Sequence, residues 1–124
     1  AEIEWLQTPC KMQGNDHGYQ SYACLFEPQK PKSAAKVGDA ATIKQINESR
    51  NSWMDRLQQL GISTRPATHA VHMLTYYREK YKLNPQDFPN AHAANDCSIS
   101  LPLFHGMTGE EQDYVIEQVL QRAI

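Results

Sequence analysis

The sequence predicts an α+β fold in which a small, mostly antiparallel sheet is covered by helices. Two observations predict this class. Apolar residues recur at intervals of three, four and seven between Ile43 and Leu60, which is typical of an amphipathic helix. Segments with strand and helix patterns also follow one another in the order strand, strand, helix, strand, helix, helix, strand, helix.

The whole chain, residues 1–124, is predicted to form one domain. Its length is the commonest size of a single domain. A folded chain of this size is expected to bury about two-thirds of the surface that its unfolded form exposes, since buried area grows with chain length. No internal repeat or low-complexity tract divides the sequence. We therefore expect one hydrophobic core that forms without disulfides or a metal ion.

Two strands are predicted in the first third of the chain. Residues 19–26 are rich in aromatic side chains and have two alternating faces, so we expect a largely buried strand. Residues 3–6 are a second strand candidate, and residues 13–18 supply the Gly, Asn and Asp of a tight turn. Residues 27–38 contain two prolines and lack an apolar period, and we interpret them as a surface loop.

A long helix is predicted after that loop, beginning near Asp39 or Asn47 and ending at Gly61. Asp and Asn side chains cap the free backbone N–H groups of a first turn, and glycine adopts the left-handed conformation after a helix at low cost. The expected buried stripe of this helix comprises Ile43, Ile46, Trp53, Leu57 and Leu60.

A second helix is expected from Thr68, its cap, to about Tyr81. It is preceded by an extended piece at residues 62–65, because Pro66 disfavours the helical conformation in the residue before it. The apolar side of this helix would consist of Val71, Leu74 and Tyr77 or Arg78.

The last third is predicted to contain a turn at residues 84–88, a helix at 89–97, a strand at 98–103 and a helix from 109 to 124. Pro89 suits the first position of a helix, where its missing N–H would be unpaired anyway. Thr108 and Glu111 have the spacing of a capping box, in which each side chain bonds the other residue's backbone N–H.

Composition excludes several classes of partner. The net charge is -2 and the pI about 6.2, so no bulk positive field attracts nucleic acid or anionic lipid. The longest apolar run, residues 23–26, is far shorter than the roughly 20 residues of a membrane span, and the first residues lack a charged-then-apolar pattern, so we expect neither a membrane span nor a secretion signal. The cysteines, Cys10, Cys24 and Cys97, are odd in number and widely spaced, which favours a reducing cytoplasm.

Arg65, His69 and His72 are the candidate binding residues. The Arg65 guanidinium is suited to clamp a phosphate or carboxylate beside a helix N-terminus, and a surface salt bridge is the alternative. His69 and His72 are three residues apart and would share one helix face. Zinc takes three or four ligands and no HExxH motif is present, so a metal site would need His17, His92, His105 or a cysteine as well. We therefore predict no metal site and expect packed histidines instead.

Other reactive or aromatic residues give weaker signals. Neither Cys24 nor Cys97 has a base nearby in sequence, so catalysis by cysteine is not expected. The tyrosines at positions 76, 77 and 81 are suited to stack on a base or a sugar, but we expect them to pack in the core or at its rim.

Two long segments carry a resemblance to a known family. They read GISTRPATHAVHMLTYYREKYKL from Gly61 and DFPNAHAANDCSISLPLFHGMTGEEQDYVIEQV from Asp87. Their strand, helix, turn and closing motifs resemble, in order, those of the C-terminal part of the DegT/StrS family of pyridoxal-phosphate-dependent sugar aminotransferases. The earlier NDHGYQSYACLF is similar to the preceding strand of that family. The likeness is weakest at residues 27–47, which resemble a lengthened loop.

The resemblance implies the aspartate-aminotransferase fold, in which a large domain holds the cofactor and a small C-terminal domain closes over it. This chain resembles only the small domain. It lacks the family's lysine motif, so we expect no pyridoxal phosphate to be bound by this chain alone. By position, the resemblance implies that His72 faces an amino-sugar nucleotide near the cofactor and that Arg65 and His69 flank that pocket.

Three functions follow from these observations. The first is the small domain of a nucleotide-sugar aminotransferase, expressed or encoded alone, which contributes to the substrate pocket and dimer contacts without catalysing transamination. Its partners would be a large domain that binds pyridoxal phosphate, or a second copy of the chain. The second is a freestanding binding or assembly module that kept the fold. The third is a small metal-dependent hydrolase that uses the histidines.

Overall fold

The computed structural model describes residues 3–122, and within them it contains a three-stranded antiparallel sheet and five α-helices. This architecture confirms the α+β class. The strands are β1 (Leu6–Gln7), β2 (Tyr22–Phe26) and β3 (Ser98–Leu101). The helices are α1 (Gln29–Val37), α2 (Ala40–Gln59), α3 (Thr75–Tyr81), α4 (Pro89–Cys97) and α5 (Gly109–Leu120), and short 3₁₀ turns lie at Val71–Met73 and Pro85–Asp87.

Strand β2 lies in the centre of the sheet, between β1 and β3. Phe26 is paired with Leu6, and Cys24 is paired with Ile99. Residues that face each other across antiparallel strands lie on the same side of the sheet, so these four side chains form one apolar face, and all four are buried. The predicted strand at residues 3–6 is wrong except for its last residue, because β1 begins at Leu6.

Helix α2 supplies the largest share of the core, as its apolar period predicts. Ile43, Ile46, Trp53 and Leu57 are buried, while Leu60 follows the helix and is half-buried. The Trp53 ring packs against Trp5 and Phe26 at centroid distances of 4.9 and 5.7 Å. The start at Asp39 is confirmed, because its Oδ1 accepts a hydrogen bond from the Thr42 N–H at 3.0 Å, and Asn47 lies inside the helix.

The predicted loop at residues 27–38 is wrong, since most of it forms α1. Its prolines are compatible with a helix because Pro28 precedes it and Pro31 lies in its first turn, where no intrahelical N–H bond is lost. Ala34 and Ala35 are buried, and α1 packs on α2 and α4. Small residues allow this close packing without producing the apolar period of a longer amphipathic helix.

The predicted helix from Thr68 to Tyr81 is wrong in its first half. The chain forms a 3₁₀ turn at Val71–Met73, and Leu74 is extended (φ -70°, ψ 129°), so α3 begins only at Thr75. The Asn95 side chain, rather than Thr68, bonds the backbone here: its Oδ1 accepts from the Ala70 N–H at 2.9 Å. A tertiary contact therefore replaces the predicted cap.

The C-terminal third largely confirms the predictions. Helix α4 has the predicted bounds, β3 ends before Pro102, and both halves of the Thr108–Glu111 capping box are present. Helix α5 ends at Leu120, so the predicted extension to Ile124 is wrong at residues 121 and 122; positions 123 and 124 lie outside the described residues. The Arg122 guanidinium lies over the Trp5 and Phe26 rings at 4.5 and 4.4 Å, which ties the end of α5 to the sheet.

Candidate functional site

Arg65 is held at the edge of the sheet by its own backbone. Its N–H donates to the Ser100 carbonyl at 3.4 Å, and the Ser100 N–H donates to the Arg65 carbonyl at 2.7 Å. The residue itself is exposed, and within residues 3–122 no carboxylate lies at ion-pair distance from it. The predicted alternative of a surface salt bridge is therefore not observed in the described part of the chain.

A cleft of about 490 Å³ lies beside Arg65, between the end of β3 and α5. Its walls include the hydroxyl side chains of Ser63 and Thr64, together with the aromatic rings of Phe104 and Tyr114. Such a mixture of hydrogen-bonding groups and rings is typical of a small-molecule site. The Tyr114 hydroxyl is already engaged, because it donates to the Leu60 carbonyl at 3.0 Å.

Glu111 is the acidic residue that lines this cleft. Its Oε2 accepts hydrogen bonds from the Thr108 N–H at 2.8 Å and from the Thr108 hydroxyl at 3.2 Å, as part of the α5 capping box. This carboxylate is therefore held at the start of α5. The positively charged side chain that lines the cleft is Arg65. An unpaired guanidinium on a concave surface is suited to bind a phosphate or a carboxylate by paired N–H bonds.

The two histidines do not line the cleft with Arg65. His69 is exposed and precedes the 3₁₀ turn, whereas His72 lies within that turn and is 6% exposed. The expectation that both occupy one helix face is wrong, because the helix begins at Thr75. Of the three candidate residues on this segment, Arg65 and His69 are therefore exposed and His72 is buried.

His72 packs against Phe88, with ring centroids 4.9 Å apart and planes tilted by 41°. Its Nε2 is buried and has no hydrogen-bond partner within residues 3–122. The His72 ring is therefore packed, as expected of a packed histidine, but its buried nitrogen lacks a hydrogen bond within residues 3–122. A buried polar atom without a partner costs free energy, of the order of 1–3 kcal/mol, unless another group completes it.

A hydrogen-bonded cluster on α4 holds the segment between Arg65 and His72. Asn95 accepts from Ala70 and donates to Asp96 Oδ1 at 2.6 Å, and His92 Nε2 lies 3.0 Å from Asp96 Oδ2. The sequence-based predictions include neither Asn95 nor Asp96, and they name His92 only as a possible additional zinc ligand. The spacing of His92 and Asp96, four residues apart on a predicted helix, was the available signal, because such residues are neighbours on a helix surface.

A second groove, of about 500 Å³, is mainly apolar and runs along the other side of α5. Its lining includes Tyr22, Leu101, Phe104, Ile116, Val119 and Leu120. The tyrosines of α3 lie elsewhere on the surface, where Tyr77 is 39% exposed. Tyr76 and Tyr81 are 62% and 58% exposed, so the expectation that the tyrosines pack in the core or at its rim is wrong for these two. The ammonium group of Lys80 lies over both rings, 5.2 and 5.4 Å from their centroids.

The lysines of this chain lie outside both clefts. A Schiff base requires a lysine amine seated against the cofactor. Every lysine of this chain is exposed and none lines either cleft; they are Lys11, Lys30, Lys32, Lys36, Lys44, Lys80 and Lys82. Between residues 3 and 122, no three His, Cys, Asp or Glu side chains form a metal-ligand group, and no helix is long and apolar enough to cross a membrane.

Comparison with known families gives one match that covers most of the chain. The model of the DegT/DnrJ/EryC1/StrS aminotransferase family matches residues 19–120. The matched range includes the Arg65 cleft, the His69–His72 segment and the α4 cluster. It also includes residues 27–47, where the resemblance in sequence is weakest.

Proposed function

Because the chain belongs to the DegT/DnrJ/EryC1/StrS aminotransferase family, we propose that it is the small C-terminal domain of a cytoplasmic nucleotide-sugar aminotransferase. In this proposal the domain helps to form the substrate pocket and the dimer contacts. The cofactor and the Schiff-base lysine belong to a separate large domain, because every lysine of this chain is exposed and lies away from both clefts.

The observation that carries the proposal is the unpaired Arg65 in the cleft beside β3. A nucleotide sugar contains a diphosphate, and the planar guanidinium is suited to bind its oxygens by two parallel hydrogen bonds. The nearby hydroxyls of Ser63 and Thr64 are available to the same ligand. His69 and His72 do not line this cleft. In this proposal they flank, on its sugar side, the larger pocket that a large domain completes.

An assembly role is the second candidate, and one observation favours it. Helix α3 has no buried residue, although it carries three tyrosines. Such a face is normally covered by another protein surface. A large domain and a second copy of this chain are both compatible with that cover.

The Arg65 proposal is tested by titrating the chain with uridine diphosphate and following backbone amide shifts by NMR. We expect Arg65→Ala to raise the dissociation constant about tenfold or more, because a charge-assisted hydrogen bond contributes roughly 1.5–3 kcal/mol. Arg65→Lys should lie between the two, since lysine keeps the charge but loses the paired geometry.

The matched control is Arg78→Ala, which removes an exposed arginine on α3 outside the cleft. This variant should bind uridine diphosphate as the unmodified chain does. Equal loss of affinity in both variants would mean that only general charge attracts the ligand. Unchanged binding by Arg65→Ala would contradict the proposed site and favour the assembly role.

A further inference from the structure

The segment that carries His69 and His72 has few backbone anchors. Within the described residues, the Arg65–Ser100 pair of hydrogen bonds holds its beginning. The next bond to another element is the one from the Ala70 N–H to Asn95 Oδ1, at 2.9 Å. Ala70 is 3% exposed, so water does not readily replace this acceptor. Asn95 is therefore the contact that places the middle of the segment on the fold.

The orientation of the Asn95 amide is itself fixed. Its Nδ2 donates to Asp96 Oδ1 at 2.6 Å, which leaves its Oδ1 directed at Ala70. Asp96 is held on both sides: His92 Nε2 lies 3.0 Å from its Oδ2, and Asn47 Nδ2 donates to its backbone carbonyl at 2.8 Å. The cluster thus connects Ala70 to two helices, α4 and α2, that form the core.

We infer that Asn95, oriented by Asp96, is a positioning residue that sets the placement of His69 and His72. Ala70 lies between the two histidines and accepts the Met73 N–H at 2.9 Å through its carbonyl. A shift of Ala70 therefore moves the 3₁₀ turn that contains His72. Because displacements of about 1 Å are costly in a binding site, such an anchor affects ligand affinity without contacting the ligand. The effect on affinity rests on the proposed function, whereas the effect on the segment does not.

The test uses Asn95→Ala in the 124-residue chain, with Asn90→Ala as the matched control. Asn90 is an exposed asparagine on the same helix. Amide hydrogen exchange is measured at Ala70 and at the buried Ile99, together with the ring signals of His69 and His72. We expect Asn95→Ala to speed exchange at Ala70 about tenfold and to shift both ring signals, while exchange at Ile99 stays unchanged.

The second readout is affinity for uridine diphosphate glucose, because its sugar belongs to the side of the pocket that the proposed function assigns to His69 and His72. Asn95→Ala should weaken binding severalfold, and Asn90→Ala should not. If the unmodified chain does not bind the nucleotide while Ala70 still responds, the proposed function fails and the positioning role holds. If the nucleotide binds equally well to the unmodified chain and to Asn95→Ala, and Ala70 stays protected in that variant, only the positioning role is refuted.

A loss of protection at Ala70 and Ile99 together would also refute the inference, because it would mean that Asn95 supports the whole fold. Should Asn95→Ala not fold, Asp96→Asn supplies the same measurement in milder form. It keeps one acceptor oxygen and removes the charge, so we expect a smaller acceleration of exchange confined to Ala70. No acceleration at Ala70 in that variant would contradict the role assigned to Asp96.

Discussion

At the scale of single residues, the three cysteines differ because of their surroundings. Cys10 is exposed, whereas Cys24 in β2 and Cys97 at the end of α4 are buried. Burial raises the pKa of Cys24 from about 9 to about 12, because a thiolate is poorly solvated in the core. Burial, and secondarily the Asp96 carboxylate, raises the pKa of Cys97 to about 12. Both thiols are therefore kept protonated and unreactive.

We expect iodoacetamide at pH 8 to modify Cys10 alone in the folded chain, and all three cysteines in denaturant, as counted by intact mass.

The raised pKa values of Cys24 and Cys97 also predict how alkali affects the stability of the fold. Between about pH 9 and 12 the unfolded chain loses two thiol protons that the folded chain keeps, so stability falls as pH rises through this range. The double variant Cys24→Ala, Cys97→Ala should show a smaller fall. Rapid modification of Cys24 in the native chain would contradict this burial.

At the scale of elements, α1 packs against two other helices through small buried side chains. It contacts α2 and α4, and its buried side chains are small: Ala34 and Ala35 are each 4% exposed. Gly38 ends the helix with a φ of 69°, and its N–H faces the carbonyls of the last turn. A short helix with alanines inside and lysines outside thus closes one side of the core.

Ala35→Leu should destabilise the chain by roughly 1–3 kcal/mol, because three added carbon atoms do not fit between packed helices without shifting them. The control is Lys36→Ala, an exposed change on the same helix, for which we expect less than about 0.5 kcal/mol. Urea unfolding followed by tryptophan fluorescence measures both. An Ala35→Leu variant as stable as its parent would mean that α1 does not pack closely on its neighbours.

At the scale of the whole molecule, one segment of the surface exposes several large apolar side chains. Leu74 and Val71 are 48% and 52% exposed, and the α3 tyrosines follow them in sequence. Helix α3 has no buried residue, and its main contact is with the 3₁₀ turn before it. The segment from Arg65 to Tyr77 is therefore the part of the chain that we expect to meet a large domain or a second copy.

We expect the isolated chain to self-associate through this segment at micromolar concentration, as measured by sedimentation velocity. Leu74→Asp should give a folded monomer, because the side chain is half exposed and its replacement leaves the core intact. Leu120→Asp, at an equally exposed leucine on α5, is the control and should leave association unchanged. A parent chain that stays monomeric at hundreds of micromolar would contradict self-association, and an unfolded Leu74→Asp variant would contradict the surface placement.

The sequence by itself determined those elements whose signals are local. The apolar stripe of α2, Pro89 at the start of α4 and the α5 capping box all act within a few residues along the chain. Asp39 was one of two possible starts of α2, and the structure selects it over Asn47. Such signals depend on backbone hydrogen bonds and helix periodicity, and the tertiary structure left them unchanged. The family motifs from Gly61 onwards likewise identified the class of protein before any geometry was known.

Only the tertiary structure decided the features that depend on distant residues. Helix α1 buries Ala34 and Ala35 and packs against α2 and α4, and these long-range contacts leave no apolar period in the local sequence. The helix predicted from Thr68 is delayed to Thr75, and the Ala70 N–H is bound by Asn95, which lies 25 residues away in the sequence. Arg65 was placed on a cleft and His72 under Phe88 by strand pairing and ring packing. When a contact is stabilised by a partner far along the chain, residue type and local spacing alone cannot predict that contact.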